Sequence, residues 1–156
     1  MPKIEKITKQ TENPYVNLYL VEGKNKVDHP FRYYVASRAK TMEALKIKTK
    51  KNTPDGVLMY SLYGEKRDKI VLVRQYRVSI DDYIYEFPAG LVESGEEFHE
   101  AAVREMHEET GLTFHPLKVD PCYEKPFFTT IGMTDEACSA VYGWCEGEIG
   151  RASCRE

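Results

Sequence analysis

Residues Gly90–Leu112 read "GLVESGEEFHEAAVREMHEETGL", and this stretch decides how the chain is understood. At roughly 100° per residue, a helix from Glu96 to Thr110 gathers Phe98, Ala101, Ala102, Glu105, Glu108 and Glu109 within about a third of its circumference. The row begins apolar and ends acidic. Glu97, Glu100, Arg104 and His107 fall on the outer side, where Glu100 and Arg104 have the spacing of an i,i+4 solvent pair.

Carboxylates three and four residues apart repel by a few tenths of a kcal/mol even in water. Partial burial along an apolar row adds a desolvation cost. A merely charged helix face leaves both costs standing, whereas a divalent cation removes them. Hard carboxylate oxygens without thiolates or clustered histidines favour Mg²⁺ or Mn²⁺ over zinc. Gly90 is read as ending a strand at a sharp turn, Gly95 as opening the helix, and Gly111 as its left-handed C-terminal cap.

The rest of the chain has the composition of a soluble globular protein. Its 156 residues suit one domain, with 42% hydrophobic and 30% charged residues and a formal charge of -3, a balance that gives no sign of nucleic-acid binding. The start, "MPKIEKITKQTENPY", lacks the apolar core of a signal peptide, and no run reaches membrane-spanning length. A cytoplasmic protein is expected. Cys122, Cys138, Cys145 and Cys154 have no metal-type spacing and are read as reduced thiols.

Outward from the box, "NPYVNLYLVEG" and "FRYYVASRAK" read as paired strands. Val57 to Tyr63 and Lys69 to Val73 form a hairpin across "GEKRD". "YIYEFPAG" reads as a strand stopped by Pro88 and Gly90, "LKVDPCYEK" and "EACSAVYGWCE" as further strands, and "PFFTTIGMTDE" as a long loop. "TMEALKIKTKK" either begins a short helix at Thr41 or is a strand with Lys46, Lys48 and Lys50 on its solvated side.

Gly90, five residues, Glu96, seven residues and then "REMHEETGL" match the full signature of the Nudix hydrolases, including Met106 and Leu112. "VLVRQYR", "YEFPAGLVE" and the strands from "NPYVNLYL" resemble the ADP-ribose (ADP-sugar) pyrophosphatase branch, over roughly Asn13 to Gly147. The resemblance implies an α/β (α+β) Nudix fold: a mixed β-sheet in an α/β/α sandwich, with an N-terminal β subdomain at about 13–50 that packs across a homodimer. One domain is expected over 1–147.

Metal ligation by Glu105, Glu108, Glu109 and the Ala89 carbonyl is what the resemblance implies, with Arg104 steadying the box. It places Arg77 and Glu86 among substrate contacts, and Glu136 in a loop that touches substrate or metal-bound water. The implied reaction is Mg²⁺-dependent cleavage of a nucleoside diphosphate sugar, ADP-ribose giving AMP and ribose 5-phosphate. NADH, a dinucleoside polyphosphate or a UDP-sugar are alternative substrates, and a non-catalytic nucleotide sensor is an alternative role. Tyr83, Tyr85, Phe127 and Phe128 are base-stacking candidates but are read first as core.

The final "EIGRASCRE", Glu148 to Glu156, has neither helical nor strand period and can be spelled by a common sequencing adapter. It is expected to be a non-native tail. The branch would continue past "SAVYGWCEG" with a loop carrying a general base, a strand and a helix.

Overall fold

A computed structural model describes residues 2–150, which fall into two compact units, 2–53 with 128–137 and 54–127 with 138–150. Residues 151–156, most of the expected tail and Cys154 among them, lie outside the described residues.

The first unit is built on an antiparallel sheet of β1 (Lys3–Lys9), β2 (Asn17–Lys24) and β3 (Pro30–Ser37), with β2 in the middle. Tyr19, Leu20 and Val21 of β2 are buried. The β2–β3 turn is held by Asn25, whose Oδ1 accepts N–H bonds from Val27 and His29, both at 3.0 Å. The helix in "TMEALKIKTKK" starts at Lys46 and not at Thr41: α1 (Lys46–Thr49) follows the buried Leu45 and ends at Lys50 in the left-handed conformation. The segment after β10 (Phe127–Phe128) returns to this sheet. Thr134 bridges Ala36, and the Tyr33 hydroxyl donates to the Gly132 carbonyl.

The second unit has a mixed sheet around β4 (Gly56–Tyr63). β4 runs parallel to β11 (Ala137–Glu146) and antiparallel to β5 (Lys69–Ile70) and β8 (Ala89–Leu91). β9 (Thr113–Pro116) adds to β11, and β6 (Val73–Arg77) with β7 (Asp82–Glu86) forms a separate hairpin. The long helix α2 (Phe98–Thr110) packs on β4, β8 and β9. Its buried residues Ala101, Ala102 and Met106 join Val57, Met59, Val71, Leu112, Phe114 and Val141 in the core, and Thr110 is buried at its end. The architecture is the expected mixture of sheet and helix.

Several local expectations need correction. "YIYEFPAG" is two strands, and Gly90 lies inside β8 instead of ending a strand. "LKVDPCYEK" contains a 3-10 helix, Pro121–Tyr123, because Pro121 cannot donate to a sheet and Asp120 accepts the Cys122 N–H at 2.8 Å. Tyr83, Tyr85, Phe127 and Phe128 are exposed and not core. Cys122, Cys138 and Cys145 are free thiols, as expected. No helix among the described residues is long and apolar enough to cross a membrane.

Candidate active site

The site grows from the way the chain enters and leaves α2. Glu97 caps the helix by accepting the His99 N–H at 2.9 Å, and Gly111 closes the other end at φ +76°. Between these ends, one turn of helix separates Glu105 from Glu109, so both reach toward β8.

Arg104 organises the entry. Its Nε and Nη2 donate to Glu96 Oε1 and Oε2, Nη2 also reaches the Leu91 carbonyl at 3.1 Å, and Nη1 donates to Glu105 Oε1 at 2.8 Å. Glu108 stands 3.7 Å from Nη1. The ion pairs of Arg104 thus run to Glu96, Glu105 and Glu108, in place of the solvent pair with Glu100 that the spacing suggested. This clamp, with a bond from the Glu93 N–H, holds the Glu96 carboxyl down at about 2.

Glu105 lies directly against Gly90. A Cβ on that glycine would sit 2.0 Å from Glu105 Cδ and 2.4 Å from Oε1, so the absent side chain is what admits the carboxylate. Glu109 accepts the Ala89 N–H at 3.2 Å. Burial pushes the Glu109 carboxyl up to about 7; the Ala89 N–H and Arg77 oppose the shift, while Glu105 and Glu86 add to it. Arg77, which interacts electrostatically with Glu109, donates from Nε and Nη2 to the two oxygens of Glu86, both at 2.7 Å. That pairing, led by the hydrogen bonds to Glu86, raises the Arg77 pKa.

The structure therefore brings Ala89, Glu105 and Glu109 together, with Arg77 and Glu86 within electrostatic reach and Glu108 beside Arg104. Among the described residues no three acidic, histidine or cysteine side chains converge closely enough to hold a cation as they stand. Arg104 and the Ala89 N–H engage carboxylate oxygens that a metal would otherwise take. The donor set still fits a hard divalent ion: it is all oxygen, Gly90 admits the Glu105 carboxylate beside β8, and Glu109 is a half-buried carboxyl on the same helix face, next to the Ala89 backbone. Glu136 belongs to the first unit, where its Oε1 accepts from Arg38 Nε at 2.8 Å and its Oε2 from Thr129 at 3.4 Å. Arg38 as its partner carries no sequence signal, since a single arginine at a strand end is common. Glu96, by contrast, was visible as the fixed acid of the signature.

A sequence model of the NUDIX domain matches residues 52–148. The chain belongs to the Nudix family. Over 80 residues it is 35% identical to the ADP-ribose pyrophosphatase of Saccharomyces cerevisiae, covering 50% of this chain and 35% of that protein. Over 87 residues it is 36% identical to the ADP-sugar pyrophosphatase of Mus musculus, covering 54% and 40%. The matched stretch thus spans well under half the length of these curated relatives. A crystal structure of an ADP compounds hydrolase superposes with a TM-score of 0.71 at 18% identity, over 99% of this chain and 74% of that one, which shows a shared fold. Within the Nudix family, the sequence similarity is to the ADP-ribose and ADP-sugar pyrophosphatase branch.

Proposed function

We propose that this Nudix chain is a Mg²⁺-dependent pyrophosphohydrolase that cleaves ADP-ribose to AMP and ribose 5-phosphate. The observation that carries the reading is geometric: Glu105 lies against Gly90, Glu109 accepts the Ala89 N–H one helical turn on, and Arg77, paired with Glu86 at 2.7 Å, is near enough to interact with the Glu109 charge. A polyanionic pyrophosphate needs both a metal-binding row and a cationic side chain.

Glu105, Glu108, Glu109 and the Ala89 carbonyl are the proposed metal ligands. When bound, the ion neutralises phosphate charge and acidifies water. Arg104 holds Glu105 in place and fixes the entry loop through Glu96. Arg77 binds a phosphate oxygen, a role for which a planar and permanently charged fork is suited. Glu136 is carried as a candidate by resemblance, and turnover of Glu136→Gln tests it. A cytoplasmic homodimer is part of the same reading, and light scattering that finds only monomer at micromolar concentration would remove the dimer. Residues 1–147 are read as one hydrolase domain with 148–156 as an addition. A chain ending at Gly147 should then keep the melting temperature of the full chain, and a drop would count against that boundary.

The deciding experiment is product analysis with Mg²⁺ over ADP-ribose, ADP-glucose, UDP-glucose, NADH and a dinucleoside polyphosphate. AMP and ribose 5-phosphate from ADP-ribose at the highest kcat/KM support the proposal. Preference for another member changes the substrate. Binding with no turnover of any member moves the chain to the nucleotide-sensing role.

A further inference from the structure

The hairpin register poses a question about Arg77. In the β6–β7 pairing, Arg77 stands opposite Asp82, while Glu86 stands opposite Val73 at the far end. Cross-strand partners share a face and residues two apart share it too, so Val73, Gln75, Arg77, Asp82, Ile84 and Glu86 line one side of the ribbon. Asp82 is the carboxylate nearest to Arg77 by register. Yet Arg77 lies back along the face and gives both Nε and Nη2 to Glu86 at 2.7 Å, while Asp82 accepts the Tyr83 N–H. Both Arg77 and Glu86 interact electrostatically with Glu109.

We infer that Glu86 is a positioning residue that draws the Arg77 guanidinium along the hairpin to the acidic row and holds it with its end-on edge, Nη1 and Nη2, turned away from Glu86 to receive a phosphate. The inference rests on the pyrophosphate reading above and deepens it. A guanidinium has five N–H donors in a fixed plane, so a carboxylate on the side-on edge sets the direction of the remaining fork. Both Glu86 oxygens are used on Arg77, and an anion offered directly to a pyrophosphate would repel it. Without Glu86, the guanidinium relaxes toward Asp82 or solvent, and the phosphate loses its fork.

The two roles differ in the sign of one measurement. Glu86→Gln keeps size and shape but removes a negative charge. If Glu86 were only an acidic neighbour of the site, the substitution would tighten binding of an anionic ligand. If it positions Arg77, binding weakens, by about 10-fold for loss of a charge-assisted pair. The probe is a non-hydrolysable methylene analogue of ADP-ribose, titrated calorimetrically at saturating Mg²⁺ against wild type, Glu86→Gln, Arg77→Ala and the double variant. The expected result is a weaker Kd in Glu86→Gln, an unchanged Mg²⁺ affinity, and less than about a twofold further effect of Glu86→Gln in the Arg77→Ala background. An unchanged or tighter Kd in Glu86→Gln overturns the inference, as does a full-sized effect when Arg77 is absent, or a loss of Mg²⁺ affinity that matches the loss of analogue binding. Wild-type binding without turnover of ADP-ribose overturns the hydrolase reading alone. Failure of the wild type to bind the analogue removes the phosphate role of Arg77 and this inference with it.

Discussion

Arg104 closes on Glu96 with two parallel hydrogen bonds, Nε to Oε1 and Nη2 to Oε2, both at 2.9 Å. The pair joins the middle of α2 to the loop before it, and the same guanidinium holds Glu105. A lysine has no planar fork and can keep only one of these bonds at a time. Arg104→Lys should therefore weaken Mg²⁺ affinity by about 10-fold, in the range seen when the partner of a metal ligand is lost. Titration of Mn²⁺ by electron paramagnetic resonance measures this, and wild-type affinity in the variant would show that Glu105 needs no such support.

Glu109 gives a prediction of opposite sign for stability and activity. Its folded pKa, about 7, is raised above the ordinary value of 4.5, so the folded state keeps this proton after the unfolded chain has lost it. Stability from the group is greatest below about 4.5 and falls as pH rises to about 7. Glu109→Gln should raise the melting temperature of the metal-free protein at pH 8, change it little near pH 5, and abolish further stabilisation by Mg²⁺. Turnover should drop by roughly two decades or more. A lower metal-free melting temperature at pH 8 would refute the burial argument.

His99 links the start of α2 to the segment before β10. Its Nδ1 meets Glu97 at 2.9 Å and its Nε2 meets Glu124 at 2.8 Å, an arrangement that uses both N–H groups of the imidazolium. Burial pushes the pKa down, but the bonds to Glu124 and then Glu97 outweigh it and leave it raised. The stabilisation is present in full below the unfolded value and is lost as pH rises through the folded one. His99→Gln should thus destabilise the protein most near pH 5.5 and least near pH 9. Melting curves across that range decide the matter, and a pH-independent difference would contradict it.

Gly90→Ala separates fold from function at the box. The new Cβ would overlap the Glu105 carboxyl, which lies at the end of a flexible side chain. Gly90 has no positive φ among the glycines that do, so alanine fits its backbone. Circular dichroism should show an intact fold with a melting temperature within a few degrees of wild type, while Mg²⁺ affinity and turnover fall by about 10-fold or more through displaced Glu105. Retained turnover would mean that Glu105 does not need its place against β8.

The helix and its acids were legible because spacing, apolar row and the Gly111 cap agree, although α2 begins at Phe98 with Glu97 as its cap and not at Glu96 after Gly95. The true partner of Arg104 was not legible on a wheel, since Glu96 lies in the loop before α2, where helical angles no longer apply. β1 was passed over because "KIEKITK" offers only Ile4 and Ile7 as apolar residues among lysines, and it becomes a strand through its pairing with β2. Gly90 was assigned to a turn from its type, whereas the space it leaves for Glu105 is a tertiary fact. The long reach of Arg77 past Asp82 to Glu86 likewise depends on the strand register, which fixes the faces.

The parallel pairing of β4 with β11, from Gly56 beside Cys138 to Tyr63 beside Cys145, bears on how the chain is made. The paired residues are about 80 positions apart, and at roughly 5 to 20 residues per second on the ribosome β11 emerges some 4 to 16 s after β4. During that interval Val57 and Met59 have no parallel neighbour, and an apolar strand stands with one edge unmatched. Closure of so long a loop is unrewarded until β11 arrives. The pairing at the centre of this sheet thus forms only after β11 has been made, and the β4 edge is the part of it that needs protection until then.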